Sequence, residues 1–271
     1  MKTSFRSVCL WVGVVLLSLA NMAQAANVLI INGSTLTSEP GTTSGITSTL
    51  ETLLQSQGNT TTISDPVPAS LAGYDQIWDI RFSNSSPVSA GERAQFISFM
   101  QSGGAMFVMG ENGSFPTRNN SVFDLISAAG GGSISFVSVS STQSVNPVVG
   151  TTPNAVASVT YNAPGGGSGG GLTAGNGVFL TDDGVSGGTA LGFPQGALSN
   201  AQAGGLVVVF DVNFMQSPSP FLENLSRYIG GALVSGGATA VPTMSVYGLL
   251  LTTFGLLVLA TRRLRTSARM S

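Results

Sequence analysis

Three short runs decide what this chain can become. Ala26 to Asn32 reads ANVLIIN, Ala105 to Met109 reads AMFVM, and Leu206 to Asp211 reads LVVVFD. Each is too short for a full helix and apolar at almost every position. A strand with one wet face alternates apolar and polar residues, so these runs need cover on both faces. The segments between them supply it. Ser44 to Gln57 places Ile46, Leu50, Leu53 and Leu54 at helical spacing and stops at Gly58. Thr60 to Ser64 and Tyr74 to Phe82 read as second and third strands. Ser89-Ala90-Gly91-Glu92 fits a capping box, and Phe96, Ile97 and Met100 continue that helix toward Gly103. Asn120 to Ala129 reads as a short helix with Val122, Leu125 and Ile126 inward. Phe221 to Leu233 reads as a closing helix with Leu222, Leu225 and Ile229 on one stripe. This order predicts an α/β domain, a mainly parallel sheet flanked by helices.

The middle changes character. Gly130 to Tyr161 is rich in Ser, Thr and Val with period-two stretches such as SISFVSVSS. Gly165 to Gly171, GGGSGGG, reads as a flexible loop or linker. It is not a phosphate-cradling loop, because no lysine follows. Gly177 to Thr181 returns to strand character. Asp182-Asp183 lies in a glycine-rich turn and reads as a solvated turn rather than a calcium site.

Both ends carry addresses. Residues 1–25 run from Lys2 and Arg6 through the apolar stretch Val8 to Ala20 to Ala23-Gln24-Ala25, the order of a secretory signal peptide cleaved before Ala26. Near the other end, Val246 to Ala260 is an uncharged apolar stretch followed by Arg262, Arg263 and Arg265. It predicts a short transmembrane helix with a cytoplasmic basic end. The domain plan is therefore signal peptide 1–25, α/β domain 26–234, linker 235–240 and a C-terminal segment 241–271.

Cleavage before Ala26 removes Cys9, the one cysteine, and the chain has no histidine. Cys–His and Ser–His–Asp catalysis are excluded on inventory, as are disulfides and zinc sites built on Cys or His. No metal or cofactor is expected. All 12 acidic residues fall between Glu39 and Glu223, and within residues 26–234 only Arg81, Arg93, Arg118 and Arg227 oppose them. The resulting charge of −8 does not suit a nucleic-acid backbone.

Two resemblances follow from these residues. The segments YDQIWDIRF, FISFMQSGGAMFVMGENGSF and GGLVVVFDVNFMQSPSPFLENLSRYI resemble the class I glutamine amidotransferase-like, flavodoxin-like fold over roughly Asn27 to Leu233. The active members carry a Gly-x-Cys-x-Gly turn. Setting Gly113 on its last glycine puts Glu111 where the nucleophile would be and Met109 on the first glycine. The resemblance thus implies the fold, with the sharp strand-to-helix turn, but not the activity. Val241-Pro242-Thr243-Met244, followed by Tyr247-Gly248 and then by the apolar stretch and Arg262-Arg263, resembles an IPTL-type sorting signal, with Val241, Met244 and Tyr247 replacing Ile, Leu and Trp. That resemblance implies processing by an exosortase-type membrane enzyme in a bacterial cell envelope, with the domain left anchored or released at the surface.

The polar residues at predicted strand C-terminal ends define a candidate binding crevice, because open α/β sheets bind ligands at that edge. They are Asn32, Asp79, Arg81, Glu111, Asn112, Arg118, Asn119, Asn120, Asp211 and Asn213. Arg118, Asn119 and Asn120 are expected on a loop, and Arg81 or Arg118 is expected to pair with Glu111. Three uses remain open: structural bracing, binding of a ligand such as an envelope or extracellular glycan, and carboxylate-dependent hydrolysis of a polysaccharide by Glu111 with Asp79 or Asp211.

Overall fold

The computed structural model describes residues 25–36, 38–41, 45–169, 172 and 176–231. The expected signal peptide (save its last residue, Ala25), the linker, the sorting motif and the transmembrane stretch lie outside the described residues. Among the described residues no helix is long and apolar enough to cross a membrane.

The chain runs β1 (Asn27–Ile31), α1 (Ile46–Ser56), β2 (Thr60–Ser64), β3 (Gln76–Asp79), α2 (Ala90–Gln101), β4 (Ala105–Met109), α3 (Pro116–Ala129), β5 (Ile134–Ser138), β6 (Thr142–Val145) and a four-residue α4 (Pro147–Gly150). It continues with β7 (Ser158–Thr160), β8 (Gly165–Gly169), β9 (Val178–Phe179), β10 (Thr181–Asp182), β11 (Ala190–Phe193), β12 (Gly205–Val209), a 3-10 turn (Val212–Met215) and α5 (Pro220–Gly231). Seven strands form the central sheet in the order β2-β1-β3-β4-β12-β11-β9. The first five are parallel, and β11 and β9 add an antiparallel edge.

The all-apolar runs are buried on both faces because alternate residues feed two cores. Val28 and Ile30 of β1, Phe107 of β4 and Val207 of β12 meet α1 and α5 through Leu50, Leu54, Leu222 and Leu225. Leu29, Ile31, Met106 and Val208 point the other way, to Phe96 and Met100 of α2 and Val122, Leu125 and Ile126 of α3. Trp78 stacks on Phe107 of the next strand at 4.7 Å and 22°. The capping box of α2 is present, with Glu92 N–H donating to Ser89 and Ser89 N–H to the Glu92 carboxylate.

Three sequence expectations give way. The third strand is shorter than Tyr74 to Phe82, spanning only Gln76–Asp79. Helix α3 starts at Pro116 rather than Asn120, since proline at a helix start loses no hydrogen bond. Most of the glycine run is no linker: Gly165–Gly169 is strand β8, paired antiparallel with β5. Close approach explains the composition, because a Cβ on Gly165 would sit 2.5 Å from the Glu111 carbonyl oxygen and 2.8 Å from the Phe136 ring. A Cβ on Gly166 would sit 2.6 Å from Val139. Glycine here admits a neighbour rather than loosening the chain.

This packing is testable at Gly165. Gly165→Ala forces a methyl against backbone and should cost about 1 to 3 kcal/mol in urea denaturation. An unchanged midpoint would mean that the segment behaves as a linker after all.

Candidate functional site

The parallel register aligns the C-terminal ends of the strands. Ile31 is level with Asp79, Asp79 with Val108, and Met109 with Val209. The residues just beyond therefore gather at one edge, and they form two adjoining groups.

The first is centred on Asp79, which is fully buried. Arg81 grips it with two parallel bonds, Nε to Oδ1 at 2.8 Å and Nη2 to Oδ2 at 2.9 Å. From the first turn of α3, Arg118 brings Nη2 to 3.1 Å from Asp79 Oδ2, in ion-pair range but without hydrogen-bond alignment. The rest of Arg118 is anchored by Nε donating to the Met109 carbonyl at 2.9 Å and Nη1 to the Ser86 carbonyl at 2.7 Å. Arg81 Nη1 also reaches Glu92 Oε1 at 2.9 Å, so the cap of α2 closes the group on one side. Glu39 closes it on another, buried and accepting from Phe82 N–H at 2.8 Å, Ser83 N–H at 3.0 Å and the Ser86 hydroxyl. Gly33 admits it, since a Cβ there would lie 2.8 Å from the Glu39 side chain.

Burial would push the Asp79 carboxyl upward, but Arg118 and Arg81 outweigh it and hold Asp79 below the usual carboxylate range. Burial likewise pulls Arg81 down, and Asp79 with Glu92 reverses the sign, so its guanidinium is held charged. For Arg118, burial wins over Asp79, with Arg81 adding repulsion, and the net direction is downward.

The second group is two carboxylates with no cation paired to either among the described residues. Glu111 takes Val212 N–H on Oε1 at 3.1 Å and Asn112 N–H on Oε2 at 2.5 Å. Asp211 takes Asn213 N–H on Oδ1 and Asn162 N–H on Oδ2, both at 2.7 Å. Asn119 locks the Glu111 backbone: its Oδ1 accepts Glu111 N–H at 2.9 Å, and its Nδ2 donates to the Glu111 and Asn112 carbonyls. Burial raises both acids against these N–H donors, Glu111 to about 7 with Asp211 contributing, and Asp211 to about 6.

The structure therefore corrects the expected pairing. Arg81 and Arg118 converge on Asp79 and not on Glu111, because Arg118 is already fixed by two carbonyls. Arg118 and Asn119 are buried on a helix and not on a loop, while Asn120 on the same helix is exposed. Asn32 stands apart, its Oδ1 accepting Ser34 N–H and its Nδ2 near Thr47. The expected sharp turn at Glu111 is absent: the loop Gly110–Phe115 separates β4 from α3, and Glu111 is not among the positive-φ residues. Glu39, Ser86 and Asn162 were not legible as site residues, since each joins through contacts distant in sequence.

Among the described residues no group of three or more His, Cys, Asp or Glu side chains is arranged to hold a metal. The Asp183 carboxylate is taken up by its own turn, accepting N–H groups from Val185, Ser186 and Gly187 and from Ser140.

The fold is thus a mixed α/β domain with a mainly parallel sheet and a polar, closed strand edge. No protein-family model and no curated protein sequence matches the chain. Similar solved structures include the mmIFT52 N-terminal domain, with TM-score 0.55 and 15% identity, covering 79% of this chain and 99% of that one. A ThuA-like protein from Bacteroides uniformis ATCC 8492, of glutamine amidotransferase-like fold, has TM-score 0.48 and 15% identity over 78% of this chain and 94% of its own. The exo-beta-1,4-mannosidase Op5Man5 from Opitutaceae bacterium strain TAV5 has TM-score 0.44 and 12% identity over 81% of this chain and 36% of its own. At these identities the likeness concerns the fold alone.

Two measurements check the electrostatics. Asp79→Asn leaves two buried guanidiniums without their shared anion and should cost about 3 to 5 kcal/mol, whereas Arg93→Ala, which breaks the exposed pair with Asp124 at 3.2 Å, should cost under about 1 kcal/mol. The second is pH. Glu111 and Asp211 are raised on folding, so the stability they add is complete below their unfolded values near 4 and lost as pH rises through about 6 and about 7. Asp79 is lowered, so its contribution is lost instead as pH falls below about 4. Urea midpoints should peak near pH 4 to 5 and fall toward pH 8, by on the order of 3 kcal/mol for each raised carboxyl. A flat profile from pH 5 to 8 would contradict the burial of this pair.

Proposed function

We propose that this protein is exported to a bacterial cell envelope and serves there as a non-catalytic domain of amidotransferase-like architecture, structural or ligand-binding, after exosortase-type processing of its C-terminal segment. One observation carries the non-catalytic reading. The acceptors at the strand edge are already taken: Asp79 is consumed by Arg81 and Arg118, and every carboxylate oxygen of Glu111 and Asp211 accepts a backbone N–H. The inventory agrees, since residues 26–271 contain neither cysteine nor histidine. The export and sorting half rests on the sequence of the two ends: the signal-peptide order before Ala26, and Val241-Pro242-Thr243 with Tyr247-Gly248, the apolar stretch and Arg262-Arg263.

A second reading is favoured by one specific feature. Two carboxyl groups with raised affinity for protons, Glu111 and Asp211, stand together at a strand edge, the setting in which acid–base hydrolases of polysaccharide work. Glu111→Gln separates the two. As a brace, Glu111 accepts two backbone N–H groups, and an amide nitrogen in place of one oxygen meets a donor. The variant should lose about 1 to 3 kcal/mol and its share of the pH dependence. As a catalytic acid, Glu111 would be replaced without loss of stability while turnover on envelope polysaccharide disappears. Denaturation midpoints and reducing-end release, measured side by side, decide between them.

For sorting, the mature chain in the native host should begin at Ala26. Pro242→Ala should accumulate in the inner-membrane fraction with its C-terminal segment intact. Parent-like processing of that variant would remove the sorting proposal and leave the fold untouched.

A further inference from the structure

The opposite end of the sheet holds a cavity with a different chemistry. It has a volume of 260 Å³ and lies where β1 and β3 begin and α5 ends, lined by Ala26, Gln57, Asn59, Gln76, Arg227 and Gly230 among others. Arg227 is the least committed arginine of the domain. Arg81 and Arg118 are buried against Asp79 and Arg93 is 3.2 Å from Asp124, whereas among the described residues Arg227 is ion-paired with Glu223 alone, at 3.7 Å, with both side chains well exposed. Glu223 is meanwhile engaged through its other oxygen by Asn154.

We propose that this cavity binds the carboxylate of a hydroxylated monocarboxylate of the uronic acid class, between the Arg227 guanidinium and the α-ammonium that cleavage before Ala26 creates. The ammonium half rests on the export reading above. In the described structure the Ala26 nitrogen already donates to Asn59 Oδ1 at 3.1 Å, so the new cation is held at the wall of the cavity. Among the described residues no carboxylate lines the cavity; the neighbouring Asp75 is engaged with Asn27 N–H at 2.8 Å. A guanidinium meets a carboxylate through two parallel bonds, and an α-amino group with an ordinary pKa of about 7.7 to 8.0 is largely charged at neutral pH.

The remaining groups are neutral amides already oriented by the protein. Gln76 Oε1 accepts Trp78 Nε1–H at 3.4 Å, which leaves Nε2 as its donor, and a Cβ on Gly230 would crowd that nitrogen at 3.1 Å, so glycine there leaves it clear. Gln57 Nε2 donates to the Ser226 hydroxyl at 2.6 Å, leaving Oε1 as an acceptor. Donors and acceptors of this kind suit sugar hydroxyls rather than a bare inorganic anion. The volume is slightly below the roughly 300 Å³ at which drug-sized sites begin, which fits one sugar ring.

The test uses the full chain exported and processed in a bacterial host, with its N-terminus read by mass spectrometry. Binding of glucuronate, glucose and inorganic phosphate is followed by calorimetry. Glucuronate should bind in preference to glucose and phosphate. Arg227→Gln, with an unchanged melting curve, should weaken glucuronate by about tenfold or more, the loss of one charge-assisted pair. Selective acetylation of the Ala26 amine should also weaken it, as should raising the pH from 7 to about 9.5 for the free amine but not for the acetylated one. Equal binding of glucose, preference for phosphate, or indifference to Arg227→Gln overturns the site. A processed chain that begins elsewhere overturns the ammonium half by mass alone and also refutes cleavage before Ala26, whereas glucuronate failing to bind a chain that begins at Ala26 overturns the site and leaves the export reading standing.

Discussion

The strand edge of this domain depends on one buried carboxylate. Asp79 is the last residue of β3, the strand between β1 and β4, and it receives two guanidiniums in a region closed to water. Neither arginine could be buried alone at tolerable cost, and neither could Asp79. Through Arg118 the group fixes the start of α3 and the Ser86 carbonyl. Through Arg81 it fixes the cap of α2, and Glu39 ties in the loop after β1. Three connections of the sheet, β1–α1, β3–α2 and β4–α3, are held together by this group and the Glu39 bonds beside it. Such a pair adds little net stability over an apolar replacement, and its strength lies in what breaks when one member is removed.

The same edge shows why the strand-to-helix junction after β4 carries no nucleophile-turn chemistry. A nucleophile turn exposes a reactive atom on strained backbone, and Glu111 does the opposite. Its backbone is held by Asn119, its carboxylate is folded onto Val212 and Asn112 N–H groups, and the glycine strand β8 packs against its carbonyl. The cost of that burial is paid in proton affinity: both Glu111 and Asp211 hold protons at pH values where an exposed acid would have lost them. A domain so built tolerates mild acid better than mild base, a property of its strand edge rather than of its surface charge.

Much of the layout was legible one segment at a time. AMFVM and LVVVF had to be strands covered twice, Ser89 with Glu92 had to cap a helix, and the Leu222, Leu225 and Ile229 stripe had to face a core. These depend on periodicity and on hydrogen bonds within a few residues, which sequence displays directly. The residues of the strand edge were nameable for the same reason, since they follow the apolar runs. Their partners were not. Arg118 read as a loop residue and as a mate for Glu111, because nothing local reveals that Met109 and Ser86 carbonyls wait for its guanidinium. Glu39 carried no signal at all, and GGGSG read as slack.

The sequence by itself determined the class of fold, the absence of thiol and imidazole chemistry from residues 26–271, and the polar character of the strand ends. Tertiary structure alone decided that Arg81 and Arg118 share Asp79, that Glu111 and Asp211 are left to backbone donors, and that a glycine run becomes a strand. The reason is physical: burial and ion pairing depend on distances between segments tens of residues apart, and in a low-dielectric interior those distances set which charges are satisfied.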